Sequence, residues 1–183
     1  MIEPVDLGVC RGYEYAGNGP TAIALPGAML GGMPSVGFAI EGVRRNGWRV
    51  VQVWDEWNDR SQDPTAWVAA RVEAAASFAG DTSLLVAKSL TTRASSIAAD
   101  RGWPAVWLTP ILDDEESLAG LRRRSAPALL VGGTADQSWD GTLARELTDD
   151  VLELDGADHG IARLEDLGAV ADAVAEFSGR LRA

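Results

Sequence analysis

The chain is organised around one short segment, Leu84-Leu85-Val86-Ala87-Lys88-Ser89-Leu90-Thr91-Thr92. Its first half is an apolar run of the length of a buried strand, its second half is small and polar, and a segment of helical character follows. Ser89 therefore lies at a predicted strand-to-helix turn. A serine at such a turn can be a nucleophile, because backbone strain lifts the hydroxyl clear of the sheet and the next amide can face a developing oxyanion. It can also be an ordinary helix N-cap.

The residues that flank Ser89 depart from the usual nucleophile motif, which is Gly-x-Ser-x-Gly. Ala87 and Thr91 stand at the two glycine positions. Both side chains are small, but each carries a β-carbon that the turn must accommodate. The motif alone therefore does not separate a nucleophile from a helix cap, and the rest of the chain has to decide.

Length, charge and composition indicate a single domain of a soluble globular type. The chain has 183 residues, which suits one domain spanning 1–183 with a sizeable core. Its net charge is −11, and the only basic cluster is Arg122-Arg123-Arg124. Because nucleic acids and anionic membranes attract basic surfaces, we expect neither as a partner.

Cysteine and histidine are each used once, as Cys10 and His159. An internal disulfide and a zinc site built from cysteine and histidine are therefore both excluded. The N-terminal residues lack a basic segment followed by an apolar one, and no apolar run approaches membrane-spanning length. We therefore expect a cytoplasmic protein.

Apolar strands alternate with helices along most of the chain. Strands are predicted at 5–10, 13–15, 21–25, 48–53, 83–87, 105–108, 128–131 and 151–154, the first two forming a hairpin around Arg11-Gly12. Helices are predicted at 35–46, 64–79, 93–101, 113–124, 138–147 and 165–181. This alternation predicts an α/β fold with a mostly parallel sheet and helices on both faces.

Four loops that follow predicted strands carry residues capable of chemistry. In chain order they are a glycine-rich loop running from Gly27-Ala28 to Met33, the turn at Ser89, the loop Gly132-Gly133-Thr134-Ala135-Asp136, and the loop Gly156-Ala157-Asp158-His159-Gly160. Ligands of parallel sheets bind beyond the carboxyl ends of the strands, which is where such loops lie. The order Ser, Asp, His along the chain is that of one well-known catalytic arrangement.

From about Thr21 onward the chain resembles a small α/β-hydrolase. Leu25-Pro26-Gly27-Ala28 sits where that family often has His-Gly, Ala87-Lys88-Ser89-Leu90-Thr91 sits at its nucleophile elbow, and the two later loops resemble its acid and histidine loops. Pro26 stands in place of the common histidine. The segment between Leu108 and Ala128, where many relatives insert a lid domain, is short, so a lid of one helix at most and an open site are expected.

The resemblance implies a role for each of these residues. Ser89 would be the nucleophile, His159 the general base, and Asp136 the acid that orients the imidazole. The backbone amides of Ala28 and Leu90 would form the oxyanion hole. The implied function is a serine hydrolase that cleaves a small ester or thioester through an acyl-serine, with a small-molecule substrate and with no metal or organic cofactor.

Several alternatives stay open. Asp140 is a rival acid, although we expect it inside a helix, whereas Asp158 is interpreted as a turn residue. Lys88 could lie on the outer side of the elbow beside a carboxylate, or could form a Ser-Lys dyad if His159 proved remote. Three tryptophans near strand ends could rim the site but are more simply core residues; they are Trp54, Trp57 and Trp107.

The same fold also supports functions other than ester hydrolysis. One alternative is an amidase or a lyase. The other is a non-catalytic ligand-binding protein, which the missing elbow glycines favour and the complete Ser/Asp/His set opposes.

Overall fold

Eight strands and six α-helices alternate in the computed structural model, which describes residues 1–29 and 33–182. The strands are β1 Ile2–Asp6, β2 Arg11–Tyr15, β3 Thr21–Ala24, β4 Arg49–Trp54, β5 Leu84–Lys88, β6 Ala105–Leu108, β7 Ala128–Gly133 and β8 Val151–Leu154. The α-helices are α1 Met33–Arg45, α2 Pro64–Ala79, α3 Ser95–Arg101, α4 Glu115–Arg123, α5 Gly141–Leu147 and α6 Leu164–Arg180. Positions 30–32 of the predicted glycine-rich loop, and position 183 of the predicted domain, lie outside the described residues.

All eight strands belong to one sheet, in the order β1-β2-β4-β3-β5-β6-β7-β8. The hairpin β1–β2 and the pair β2–β4 are antiparallel, and every pair from β4 to β8 is parallel. The predicted mostly parallel sheet is therefore confirmed. Strand β5 lies between β3 and β6, so the residue after it emerges near the middle of the carboxyl edge of the sheet.

The N-terminal hairpin differs from its prediction, which placed the turn at Arg11-Gly12. The turn instead falls between Asp6 and Arg11, and both named residues pair within β2. Gly8 has a φ of +83°, which glycine adopts without steric penalty, and its amide donates to the Asp6 carboxylate at 2.8 Å. These two features fix the turn at 7–10, within the segment 5–10 that the sequence predicted to be the first strand.

Helices cover both faces of the sheet because successive side chains of each strand point to opposite sides. In β5, Leu85 and Ala87 face one core and Leu84 and Val86 face the other. The first core is closed by helices α2 to α5, and the second by α1 and α6. None of the helices in the described ranges is long and apolar enough to cross a membrane.

The connection between β6 and β7 carries the single helix α4. Leu118 and Leu121 of this helix are buried against the sheet, and Gly120 brings its backbone close to that of Ser95 at the start of α3. Helix α4 is therefore a packed layer helix, and this connection places no lid over the carboxyl edge of the sheet.

Candidate active site

Ser89 occupies a strained elbow between β5 and a 3₁₀ helix, Ser89–Ala94, which continues into α3. Its φ is +53°, in the left-handed region that non-glycine residues rarely adopt. The Thr91 hydroxyl closes the turn, since it accepts from the Lys88 amide and donates to the Lys88 carbonyl, both at 2.9 Å. Ala87 is fully buried in the core. The elbow thus forms without its usual glycines, and one of the replacements supplies two of its hydrogen bonds.

The three side chains predicted for the site meet at one point. The His159 Nε2 lies 2.7 Å from the Ser89 Oγ, and the His159 Nδ1 lies 2.7 Å from the Asp136 Oδ2. These distances are within the range for strong hydrogen bonds. Ser89 is 70 positions from His159 in the chain, and Asp136 is 23 positions from it. The fold joins the three in a line of hydrogen bonds, in the order serine, imidazole, carboxylate.

Asp136 is held as a carboxylate although it is buried. Its side chain is only 3% exposed. Burial raises the pKa of Asp136, but hydrogen bonds from His159 and from the Ser138 amide, together with the charges of His159 and Lys88, outweigh that effect and leave the pKa below its ordinary value. A carboxylate in this position can orient an imidazole and stabilise its protonated form.

Of the two residues predicted to supply oxyanion-hole amides, Leu90 is the next residue after Ser89, and Ala28 follows Gly27 near it. Leu90 follows Ser89 in the first turn of the 3₁₀ helix, where amides have no partner inside the helix. Gly27 lies against the serine, because a β-carbon there would be 3.5 Å from the Ser89 Cβ, and Ala28 comes next. The Trp57 amide braces this loop by donating to the Ala28 carbonyl at 2.9 Å. Among the described residues, no backbone carbonyl outside the helices and strands accepts from the Ala28 or the Leu90 amide.

Comparison with known proteins identifies the architecture. No protein-family model matches the chain, and no curated protein matches its sequence. Among solved structures, the esterase domain of a Rhodothermus marinus protein superimposes with a TM-score of 0.74 at 12% identity, covering 98% of this chain and 98% of that chain. Dienelactone hydrolase from Anabaena variabilis gives 0.73 at 18% identity, covering 96% of this chain and 94% of that one.

A third solved structure bears on the short β6–β7 connection. It is an α/β serine hydrolase without lid from Xanthomonas campestris, with a TM-score of 0.69 at 16% identity, covering 97% of this chain and 94% of that chain. The chain has the α/β-hydrolase fold. The resemblance that the sequence predicted is thus confirmed at the level of the fold.

Within the α/β-hydrolase fold, the acid loop and the histidine loop are tied to each other. The Ala135 amide donates to the Ala157 carbonyl at 3.0 Å, and a β-carbon on Gly133 would lie 2.1 Å from that carbonyl oxygen. The glycine therefore permits the close approach of the two loops. Asp158 is a turn residue as predicted, since its carboxylate accepts the Gly160 amide at 2.9 Å.

Replacing Gly133 by alanine should separate these loops. The added methyl group meets a carbonyl oxygen rather than a flexible side chain, so we expect Gly133→Ala to lower the free energy of unfolding by about 1–3 kcal/mol. Gly168→Ala in α6 is the matched control, because nothing lies within 4 Å of its β-carbon position. Alanine should stabilise that helix by up to ~1 kcal/mol. Urea unfolding of both variants checks this, and equal midpoints would contradict the role assigned to Gly133.

The rival residues have other positions in the α/β-hydrolase fold. Asp140, which was expected inside a helix, is instead the N-cap of α5, where its carboxylate accepts the amides of Thr142 and Leu143. Trp107 is 1% exposed in the core, in keeping with the simpler of its two interpretations. Trp54 is 36% exposed and so is not the core residue that the simpler interpretation made it; it packs edge-on against Tyr13, with ring centroids 5.3 Å apart.

Lys88 differs most from its prediction. It is 3% exposed, so it does not lie on the outer side of the elbow, and its ammonium donates to the Thr109 hydroxyl and to the His159 backbone carbonyl, each at 2.8 Å. Among the described residues it makes no hydrogen bond to Ser89, so no Ser-Lys dyad is formed. Burial lowers the pKa of Lys88 to about 8, against the opposing charges of Asp136 and Asp158. The sequence analysis did not predict the contact of Lys88 with Thr109 and His159. The one signal for an unusual role was that the chain has a single lysine and fifteen arginines.

An open cavity of about 360 Å³ adjoins the histidine and the acid. Its lining residues are Ala135, Asp136, Gln137, Ser138, Asp158 and His159. A larger cavity of about 630 Å³ lies at the N-terminal hairpin, but none of its lining residues belongs to the serine–imidazole–carboxylate line. The smaller cavity, which His159 and Asp136 line, is therefore the candidate ligand site. In the part of the chain that the structure describes, no group of three or more His, Cys, Asp or Glu side chains is arranged to hold a metal ion.

Proposed function

We propose that this protein is a serine hydrolase that cleaves small esters or thioesters. One observation carries the proposal: the His159 imidazole is hydrogen-bonded at 2.7 Å both to the Ser89 hydroxyl and to the Asp136 carboxylate. A serine hydroxyl is too weak an acid to attack an ester unaided at neutral pH, and a base within hydrogen-bond reach removes that barrier. No other imidazole is present in the chain to do this.

The first half-reaction forms an acyl-serine. The Ser89 Oγ attacks the carbonyl carbon of the substrate while its proton moves to the His159 Nε2. Asp136 accepts the hydrogen bond of Nδ1–H and stabilises the imidazolium. The negative charge that develops on the substrate oxygen faces the Ala28 and Leu90 amides. Collapse of the tetrahedral intermediate breaks the bond to the alcohol or thiol, which leaves with the proton from Nε2.

The second half-reaction returns the free serine. A water molecule gives one proton to the His159 Nε2 and attacks the acyl carbon, and the same two amides face the oxyanion. The bond between that carbon and the Ser89 Oγ then breaks, and the Oγ regains its proton from Nε2. The product is a carboxylic acid, and the chain's own residues supply every proton transfer.

Three observations support a small ester or thioester as the substrate. The cavity of about 360 Å³ is at the lower end of the range for small-molecule sites. It is open to solvent on the His159 side of the site, and Ser89 itself is half-buried rather than enclosed. The proteins of similar fold include an esterase domain and a dienelactone hydrolase.

A non-catalytic binding protein on the same fold is the second candidate, and the observation in its favour is the absence of both elbow glycines. The left-handed φ of +53° at Ser89 weighs against it, because that conformation is strained in a residue whose only task is to cap a helix. An amidase would use the same residues but would require His159 to protonate a poorer leaving group.

Labelling with a fluorophosphonate probe separates these candidates. The activated serine displaces fluoride from phosphorus, and the adduct is read by intact mass and peptide mapping. We expect one adduct, on Ser89 of the wild type, and none on Ser89→Ala. Ser61→Ala, which removes a serine from an exposed turn, should label like the wild type. A folded wild type that takes no adduct would overturn the hydrolase proposal in favour of a binding protein. Initial rates on matched ester, thioester and amide substrates then assign the leaving group.

A further inference from the structure

The only lysine of the chain is buried directly beside the proposed catalytic residues. Lys88 is the last residue of β5, immediately before Ser89, and is 3% exposed. Its side chain does not follow the serine but extends toward the loops after β6 and β8. There it donates to the Thr109 hydroxyl and to the His159 carbonyl, each at 2.8 Å. One ammonium group therefore joins three strand-end loops.

A buried ammonium group is energetically unfavourable if its contacts serve only the structure. Removing a charge from water costs several kcal/mol unless partners compensate, and a well-packed apolar side chain at such a site is often equally stable or more so. Every other cationic side chain in this sequence is arginine, fifteen in all. The one lysine therefore occupies the buried position beneath these loops, where a compact ammonium on a flexible four-carbon side chain can reach both acceptors.

The loops that the ammonium joins are themselves strained. Thr109 has a φ of +41°, and Ile161, two residues after the histidine, has a φ of +50°. Both side chains are β-branched and fully buried. Such residues rarely adopt a left-handed backbone, and they remain there only when surrounding contacts fix it. The bonds from Lys88 to Thr109 and to the histidine loop are contacts of that kind.

The charges around Lys88 favour the same arrangement as its hydrogen bonds do. Asp136 and Asp158 both act on the Lys88 ammonium through their charges, and Lys88 in turn helps to keep the Asp136 carboxylate ionised. The cation thus contacts the backbone of the base and favours the charged form of the acid that orients its ring.

We propose that Lys88 is a positioning residue that fixes the backbone of His159 and thereby holds the imidazole between Ser89 and Asp136. The inference rests on the proposed function for its kinetic consequence. The geometric part, which concerns the histidine ring alone, is independent of that function. In this arrangement His159 is secured twice, at its carbonyl by the ammonium and at its ring by the serine and the carboxylate.

Two shape-conserving substitutions test the proposal. Lys88→Met removes the ammonium, whereas Thr109→Val removes one of its partners but leaves both the charge and the bond to His159. We expect Lys88→Met to lower kcat on an activated ester about 10²-fold with little change in KM, since a small displacement of a catalytic group has an effect of that size. Thr109→Val should stay within a few-fold of the wild type. Equal losses in the two variants, or no loss in Lys88→Met, would overturn the proposal.

A second readout does not depend on turnover. Because the chain has one histidine, the imidazole nitrogens seen by ¹⁵N NMR belong to His159 alone. In the neutral ring of the wild type we expect the proton on Nδ1, facing Asp136, and a bare Nε2. Lys88→Met should give a mixture of tautomers, and Thr109→Val should not. An unchanged ring in Lys88→Met would refute the positioning role. If the wild type showed this tautomer but neither labelled nor hydrolysed any ester, the hydrolase proposal alone would fail.

Discussion

His159→Ala should reduce kcat/KM for an activated ester such as p-nitrophenyl acetate by a factor on the order of 10⁴ to 10⁶. Among the described residues the imidazole is the only base hydrogen-bonded to the Ser89 Oγ, at 2.7 Å, so its loss leaves a hydroxyl that is not activated. The His159 side chain is 42% exposed, but its removal leaves the buried Asp136 carboxylate without its ring partner, so we expect a lowered melting temperature with the fold retained. Initial-rate kinetics and a melting curve on the same preparation check both statements.

The double variant Ser89→Ala, His159→Ala gives the sharper form of this test. Residues that act as one unit are strongly non-additive, so the double variant should be no slower than either single variant. Multiplied losses would indicate that the two side chains act independently, which the proposed mechanism does not allow. A His159→Ala variant that kept a tenth of the wild-type rate would exclude the imidazole as the base.

Asp136→Asn should lower kcat by roughly 10⁴-fold while leaving the fold intact. The carboxylate accepts the Nδ1 proton of His159 at 2.7 Å and so keeps Nε2 free to accept from Ser89. An amide in its place can donate to Nδ1, which moves the ring proton to Nε2 and removes the base. Asp140→Asn, at the cap of α5, is the control and should change kcat only slightly. Comparable rates for the two variants would contradict the role of Asp136.

The same substitution should alter stability at low pH. The pKa of Asp136 is depressed in the folded state, so its stabilising contribution is complete above its unfolded pKa, about 3.9, and is lost as pH falls through the lower folded value. Asp136→Asn should therefore be less stable than the wild type near pH 7, and the difference should shrink below about pH 4. Urea unfolding at several pH values measures it. A difference that did not depend on pH would exclude this linkage.

Most of the fold follows from patterns that are local in the sequence. The strands at 105–108 and 151–154 and the helix at 64–79 were predicted with the bounds that the structure has. Apolar runs of strand length and an Asp-Pro helix start carry that information on their own. The order of the strand-end loops then indicated which side chains would share one edge of the sheet, and Ser89, Asp136 and His159 do lie together there.

What the sequence left undetermined depends on contacts between distant positions. Lys88 and the His159 carbonyl are 71 residues apart, and nothing near either residue predicts their hydrogen bond. The motif rule counted Thr91 only as a missing glycine, because the two bonds that its hydroxyl makes to Lys88 exist only once the elbow has formed. The start of α5 shifted for a similar reason, since Asp140 caps the helix where a continuous pattern had suggested an earlier beginning.

The connection from β6 to β7 has a kinetic consequence. Its one helix, α4, is packed into the body of the protein through Leu118 and Leu121. In enzymes that close over their substrates, loop motion on the microsecond-to-millisecond scale often limits turnover. An enzyme built like this one would not have to move this connection during turnover, so kcat for a fast, activated ester should not respond to solvent viscosity. Discrimination between substrates would then depend on the reactivity of the bond that is cleaved more than on how long the substrate stays enclosed in the site.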